Sequence, residues 1–123
     1  MFHIHIGYEN PDTDTSISLV RYMDAYIGIP SVLKDKDTKR RSLYGKAGCF
    51  RLTNYGVEYR VLSSAMMSTT NKLTFVWEQL QKAILATRLE FALPSRTDVQ
   101  NAINGSDVEL AESLINRFNL IEK

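Results

Sequence analysis

Two separate stretches of the sequence carry histidine, arginine and glutamate at alternate positions. His3 and His5 lie near the N-terminus, while Arg51, Glu58 and Arg60 lie in the middle of the chain. Because successive side chains of a β-strand point to opposite faces of the sheet, residues two positions apart share a face. Imidazole and carboxylate groups bind metal ions, and guanidinium groups bind phosphate oxygens. If these stretches are strands of one sheet, that face is suited to binding a metal ion and phosphate.

The same residues also have a simpler interpretation. Two imidazoles can lie on the polar face of a strand without binding anything. Glu58 could form a cross-strand ion pair with Arg51 or Arg60, and such pairs contribute only about 0.2 to 1 kcal/mol. The residue types alone are therefore compatible with either of two interpretations, a ligand-binding site or a structural ion pair.

Alternation of apolar and polar residues predicts the strands that would position these groups. Residues 2–6 alternate strictly, and residues 49–53 and 57–63 form two further strands joined by a turn. The apolar side chains predicted to share the opposite face of the hairpin are Phe50, Leu52, Tyr59 and Val61.

The register of the predicted hairpin follows from its turn. A two-residue turn at positions 55–56 would place Arg51 opposite Arg60 and Thr53 opposite Glu58. All of the charged side chains would then lie on the polar face.

A helix is predicted between the first strand and the hairpin. Thr15 or Ser16 can cap its N-terminus, and the apolar positions that follow keep helical spacing. We expect this helix to end before Gly28 and Pro30, which are poor residues for a helix interior.

The second half of the sequence predicts three helices. A long helix spans residues 70–91 and ends before Pro94, and shorter helices follow capping-box patterns that begin at Ser95 and Ser106, with Gly105 between them. The stripe expected to form core or an oligomer interface consists of Leu73, Val76, Trp77, Leu80, Ile84 and either Arg88 or Leu89.

These elements follow the order β-α-β-β-α-α-α, which predicts an α+β fold with a short antiparallel sheet and a helical C-terminal half. We expect one domain over residues 1–123, in which residues 1–65 hold the sheet and one helix and residues 66–123 are helical. The 123 residues are 44% hydrophobic and 24% charged, as in soluble globular proteins.

Charge and cysteine content narrow the classes of function. The net charge of +1 disfavours nucleic acid as a partner, although basic and aromatic residues are interleaved near the hairpin. The single cysteine, Cys49, excludes an internal disulfide framework and is assigned a packing role. No apolar run approaches the length of a membrane span and the N-terminus lacks a signal-peptide pattern, so we expect a cytoplasmic protein without membrane contact.

Three motifs resemble a known family. Residues 40–51 (RRSLYGKAGCFR) and 55–63 (YGVEYRVLS) resemble the signature of phage carboxylate-amine ligases. Residues 3–7 (HIHIG) resemble the histidine strand of that family, which is similar to a strand of glutamine synthetases and glutamate-cysteine ligases. The resemblance covers roughly the first half of the chain and implies half of a glutamine synthetase-like catalytic domain.

The resemblance implies a two-step reaction in which ATP phosphorylates a carboxylate and an amine then attacks the acyl phosphate to form an amide. It implies ATP and Mg²⁺ as cofactors, with Glu58 as the metal ligand and Arg51 and Arg60 as catalytic groups that hold phosphate oxygens. The cofactor-binding residues that it implies are His3, His5, Arg41 and Lys46.

Enzymes that share this fold hold their metal ions with several carboxylates, and a strand with two glutamates normally precedes the histidine strand. Only Met1 and Phe2 precede His3 here. The expectation is a truncated ligase-like protein that is not fully active alone and is completed by a second copy or by a separate upstream half. The alternative is a non-catalytic, phage-derived binding module with a host protein target, for example an inhibitor of a host defence nuclease, in the host cytoplasm.

Overall fold

The computed structural model describes residues 3–8, 12–34, 47–53, 55–62, 66 and 69–121. Its three strands, β1 (Ile4–Gly7), β2 (Phe50–Thr53) and β3 (Gly56–Tyr59), form an antiparallel sheet in the order β1-β3-β2. Strand β3 therefore lies in the centre and pairs with both of its neighbours.

Helices make up most of the remaining described chain. They are α1 (Thr13–Met23), which continues through a π-helical segment (Asp24–Gly28) into α2 (Ile29–Lys34), then α3 (Thr70–Leu89), α4 (Arg96–Asn104) and α5 (Val108–Phe118). The predicted α+β class and the order of strands and helices are confirmed. No helix of the described chain is both long and apolar enough to cross a membrane.

The two faces of the sheet have the predicted composition. Ile4, Tyr59 and Phe50 lie side by side across the three strands, as do Ile6, Val57 and Leu52 two residues along. Ile4, Val57 and Tyr59 are buried in the hydrophobic core, which also includes side chains from all five helices.

The predicted register of the hairpin was wrong by two residues. Arg51 faces Glu58 and Thr53 faces Gly56, so the second strand of the hairpin begins at Gly56 and not after it. Gly56 is the first residue of β3, and its backbone lies very close to β1. An added Cβ atom would lie 1.9 Å from the carbonyl oxygen of Ile6, so this position requires glycine. A shift of two residues leaves every side chain on its original face.

The N-terminus of α1 is capped by Asp12 and not by Thr15 or Ser16. The Asp12 carboxylate accepts hydrogen bonds from the backbone N–H of Thr15 at 2.7 Å and from its hydroxyl at 2.9 Å. Ser16 is buried and its hydroxyl is hydrogen-bonded to that of Tyr8. The helix therefore starts earlier than predicted because the aspartate side chain satisfies the first turn.

The predicted end of the first helix before Gly28 and Pro30 was also wrong. The chain stays helical because the π-helical segment adjusts the hydrogen bonding, with the N–H of Ile29 bound to the carbonyl of Asp24. Pro30 has no N–H to donate to the carbonyl of Tyr26, four residues earlier. The buried side-chain amide of Gln79 donates to that carbonyl instead, at 2.7 Å.

The long helix α3 lies where it was predicted, from a Thr69 cap to a left-handed residue at Glu90. Its buried positions are Val76, Gln79, Leu80, Ala83 and Ala86. Trp77 is 63% exposed and Leu73 is 41% exposed, so these positions of the predicted stripe are not core, and their place in an oligomer interface stays a prediction. Small alanines and a buried glutamine face α1 and the π-helical segment, and the spacing of large apolar residues did not reveal them.

The two C-terminal helices confirm the predicted division at Gly105. Ser95 caps α4 by accepting a hydrogen bond from the N–H of Asp98 at 3.1 Å. Asp107, and not Ser106, caps α5, because Ser106 takes a left-handed conformation (φ 48°) in the connection. The start of α5 was therefore predicted one residue early.

Candidate functional site

The polar face of the sheet gathers the residues singled out by type and spacing. His5, Glu58 and Arg51 lie side by side on β1, β3 and β2. His3 and Arg60 are each two residues from a member of this row and lie on the same face. We call these five residues the polar cluster.

Glu58 is the centre of the polar cluster. Its side chain is only 2% exposed, and its two oxygens contact groups from both neighbouring strands. Nδ1 of His3 lies 2.6 Å from Oε1, and a terminal guanidinium nitrogen of Arg51 lies 2.5 Å from Oε2. Nε of Arg60 lies 3.7 Å from Oε1, which is an ion-pair distance but too long for a hydrogen bond.

Contacts with its neighbours, Arg51 above all, keep Glu58 ionised. Burial by itself raises the pKa of this carboxyl group, but the hydrogen bond and charge of Arg51, together with His3 and His5, lower the pKa below its ordinary value of 4.5. The cluster therefore presents a negatively charged carboxylate at neutral pH.

The two histidines are each held at Nδ1. His5 is hydrogen-bonded there to the hydroxyl of Tyr55 at 2.8 Å, and His3 contacts Glu58. Nitrogen atoms of both rings and a Glu58 oxygen lie within 4.8 Å of one another, close enough to hold one ion. The hydrogen bond from Tyr55 to His5 was not predicted from the sequence. The sequence indicated only that Tyr55 lies in the turn of the hairpin.

Two buried nitrogens of the polar cluster have no hydrogen-bond partner among the described residues. They are Nε2 of His3 and Nε of Arg60. If the Nδ1–H of His3 donates to Glu58, its Nε2 carries a lone pair suited to a cation. Nε–H of Arg60 is a donor suited to a phosphate oxygen. This donor set fits a divalent metal ion accompanied by phosphate.

Two of the residues predicted to bind the nucleotide, Arg41 and Lys46, lie outside the described residues. The other predicted site residues, His3, His5, Arg51, Glu58 and Arg60, come together on one face of the sheet. Arg51 is 63% exposed and Arg60 is 36% exposed along its side chain, so both guanidinium groups can be reached from solvent.

Fold and site together define an α+β protein in which helices back one face of a short antiparallel sheet and the other face presents histidine, glutamate and arginine side chains. The family model described as phage phiEco32-like COOH.NH2 ligase-type 2 matches residues 2–118, and the chain belongs to this family. The match extends through the helical half, beyond the motifs that carried the resemblance. Searches of curated proteins and of solved structures found no match.

Proposed function

We propose that the polar cluster binds Mg²⁺ and the phosphates of ATP in an ATP-dependent ligation of a carboxylate to an amine. The observation that carries this proposal is the convergence of His3, His5 and Glu58 within 4.8 Å, with Arg51 and Arg60 around the same carboxylate. The family description supports the type of reaction.

Glu58 would be the carboxylate ligand of the metal ion. Each of its oxygens has two lone-pair directions, so the contacts with His3 and Arg51 leave acceptor capacity for a cation. The imidazole nitrogens of His3 and His5 would complete the protein side of the site. Bound Mg²⁺ would neutralise part of the negative charge on the phosphate oxygens of ATP.

The arginines would hold the phosphates. The guanidinium group of Arg51 has five N–H donors and directs one nitrogen at Glu58, which leaves donors for an oxyanion. The buried Nε of Arg60 would gain the acceptor that it lacks among the described residues. Both guanidinium groups would stabilise the negative charge on the oxygens of the transferred phosphoryl group. Stabilising this charge in the transition state accelerates phosphoryl transfer.

The metal site is incomplete within the described part of the chain, where the cluster contains one carboxylate. Mg²⁺ takes about six ligands, most of them oxygen atoms, and keeps several waters. We propose that ATP phosphates, water and carboxylates from a second copy or a separate ligase polypeptide supply the remainder. Because the reaction consumes ATP, the proposal places the protein in the host cytoplasm.

Isothermal titration with ATP and Mg²⁺ tests this function. We expect binding that requires Mg²⁺ and weakens at least about tenfold in Glu58→Gln and in Arg51→Gln, because a charged contact is lost in each. Glu78→Gln, an exposed change on α3, is the matched control. Circular dichroism shows whether each variant is folded. Because the Arg51 side chain is exposed, we expect Arg51→Gln to fold, and a loss of ATP binding in it then reports on the site.

Absence of ATP binding with Mg²⁺, at concentrations that favour self-association and with the folded wild-type chain, would contradict the ligase proposal.

The contacts that already occupy both Glu58 oxygens favour the second candidate, a non-catalytic binding module in which the cluster only stabilises the sheet. An inhibitor of a host defence nuclease is one such module. In that case Glu58→Gln lowers stability while ATP and Mg²⁺ have no effect on either protein.

A further inference from the structure

A cavity lies on the helical side of the sheet, away from the polar cluster. About 130 Å³ of its interior is open to a water-sized sphere, a size close to that of cavities that hold one aromatic ring. Its apolar walls are formed by Ile17, Val20, Phe50, Leu93, Pro94 and Val99.

Two arginines line the same cavity. Arg21 is in the last turn of α1 and Arg96 begins α4, and both are exposed. Within the described part of the chain, neither guanidinium group has a hydrogen bond or ion pair. Apolar walls with two such cationic groups favour a ligand that has an apolar body and an anionic end.

Asp24 also lines the cavity. Its side chain is 5% exposed and accepts a hydrogen bond from the hydroxyl of Tyr59 at 2.6 Å. Its carboxyl group already has this partner, so the two arginines are the lining groups that would meet an anionic ligand.

The cavity and the polar cluster are separate sites. Tyr59 and Glu58 are consecutive residues of β3 and therefore point to opposite faces of the sheet. Tyr59 reaches the cavity lining through Asp24, while Glu58 contacts the cluster. A ligand in the cavity would not contact Glu58.

We propose that this cavity binds a small apolar monocarboxylate, with its hydrocarbon or aromatic body between α1, β2 and α4 and its carboxylate at Arg21 and Arg96. Planar guanidinium groups match the geometry of a carboxylate and can bind it through two hydrogen bonds. This site does not depend on the function proposed for the polar cluster.

Titration with phenylacetate, followed by calorimetry and by NMR of the backbone amides, tests the proposal. We expect a dissociation constant of about 1 mM or tighter and shifted amide signals at Gly48, Val99 and Gln100. Phenylacetamide has the same shape without the charge and should bind about tenfold more weakly. Equal affinity for the two compounds, or no binding of phenylacetate, would overturn the proposal.

Variants locate the site. Arg21→Gln and Arg96→Gln should each weaken phenylacetate binding about tenfold, and Ile17→Trp, which fills the cavity from a partly exposed position, should abolish it. Arg88→Gln, which changes an exposed arginine of α3 outside the lining, is the matched control and should leave the affinity unchanged. Unchanged binding in both folded variants at Arg21 and Arg96 would refute the assignment.

Discussion

Glu58 connects the charge of the polar cluster to the stability of the sheet. The side chain lies on β3, almost fully buried, between His3 beside β1 and Arg51 on β2. Its pKa is lower in the folded chain than its ordinary value of 4.5 despite the opposing effect of burial. The unfolded chain therefore takes up this proton first as the pH falls.

The first prediction concerns acid stability. The contribution of Glu58 is fully present above about pH 4.5 and is lost as the pH falls through the folded pKa. We expect the difference in unfolding free energy between the wild type and Glu58→Gln to shrink below about pH 4.5. Urea denaturation of both proteins across this range measures it. A difference that stays constant with pH would contradict the assigned ion pairs.

At the scale of single elements, the pairing of β1 with β3 sets the geometry of the polar cluster. Gly56 faces Gly7 in this pair, and an added Cβ atom at Gly56 would meet the Ile6 carbonyl at 1.9 Å. The corresponding atom at Gly7 would be 3.5 Å from the Tyr55 carbonyl oxygen, an ordinary contact. Two facing glycines therefore tolerate a side chain very differently.

The second prediction follows from this difference. Gly56→Ala should destabilise the protein by about 3 kcal/mol, because backbone must move apart and the β1–β3 pairing is disturbed. Gly7→Ala is the matched control and should change stability by less than about 1 kcal/mol. Thermal and urea unfolding measure both, and similar losses in the two variants would contradict the proposed close approach of the strands.

Gln79 joins three parts of the helical layer. Its side-chain amide donates hydrogen bonds of 2.7 Å to the carbonyls of Tyr26, in the π-helical segment, and Leu120, after α5. The residue is 2% exposed. Its amide therefore satisfies buried backbone groups that an apolar side chain could not satisfy.

The third prediction is that Gln79→Leu lowers stability by about 2 to 4 kcal/mol, because two buried carbonyls lose their donor. Gln81→Leu, an exposed change on the same helix, should alter stability by no more than about 0.5 kcal/mol. Urea denaturation measures both free energies. Equal effects would mean that the Gln79 hydrogen bonds do not stabilise the helical layer.

At the scale of the whole molecule, one hydrophobic core includes Ile4 and Tyr59 from the sheet as well as Ala83, Ile103 and Leu114 from the C-terminal helices. The sheet half and the helical half therefore share buried surface. The single domain over residues 1–123 remains a prediction, and the shared core is the physical reason to expect it.

The fourth prediction is a single cooperative unfolding transition. Scanning calorimetry should give equal calorimetric and van't Hoff enthalpies, because neither half can separate without exposing the shared core. Far-UV circular dichroism should report the same midpoint. Trp77 emission is a poor probe because its side chain is already 63% exposed. Two resolved transitions would contradict the single domain.

The residues that share the polar face could be predicted from the order of residue types alone. Strand side chains alternate with a period of two, so His5, Glu58 and Arg51 fall on one face, and an error of two residues in the register did not change this. The fold class was predictable for a similar reason, since local periodicity and helix caps specify the order of elements.

Tertiary structure alone decided the features that depend on distant residues. The Tyr26 carbonyl opposite Pro30 is satisfied by Gln79, which is 53 residues away from Tyr26 in the chain. The contact of Tyr55 with His5 spans 50 residues, and the cavity is lined from α1, β2 and α4. Propensity and spacing describe a residue and its near neighbours, whereas these contacts arise only when separate elements pack together.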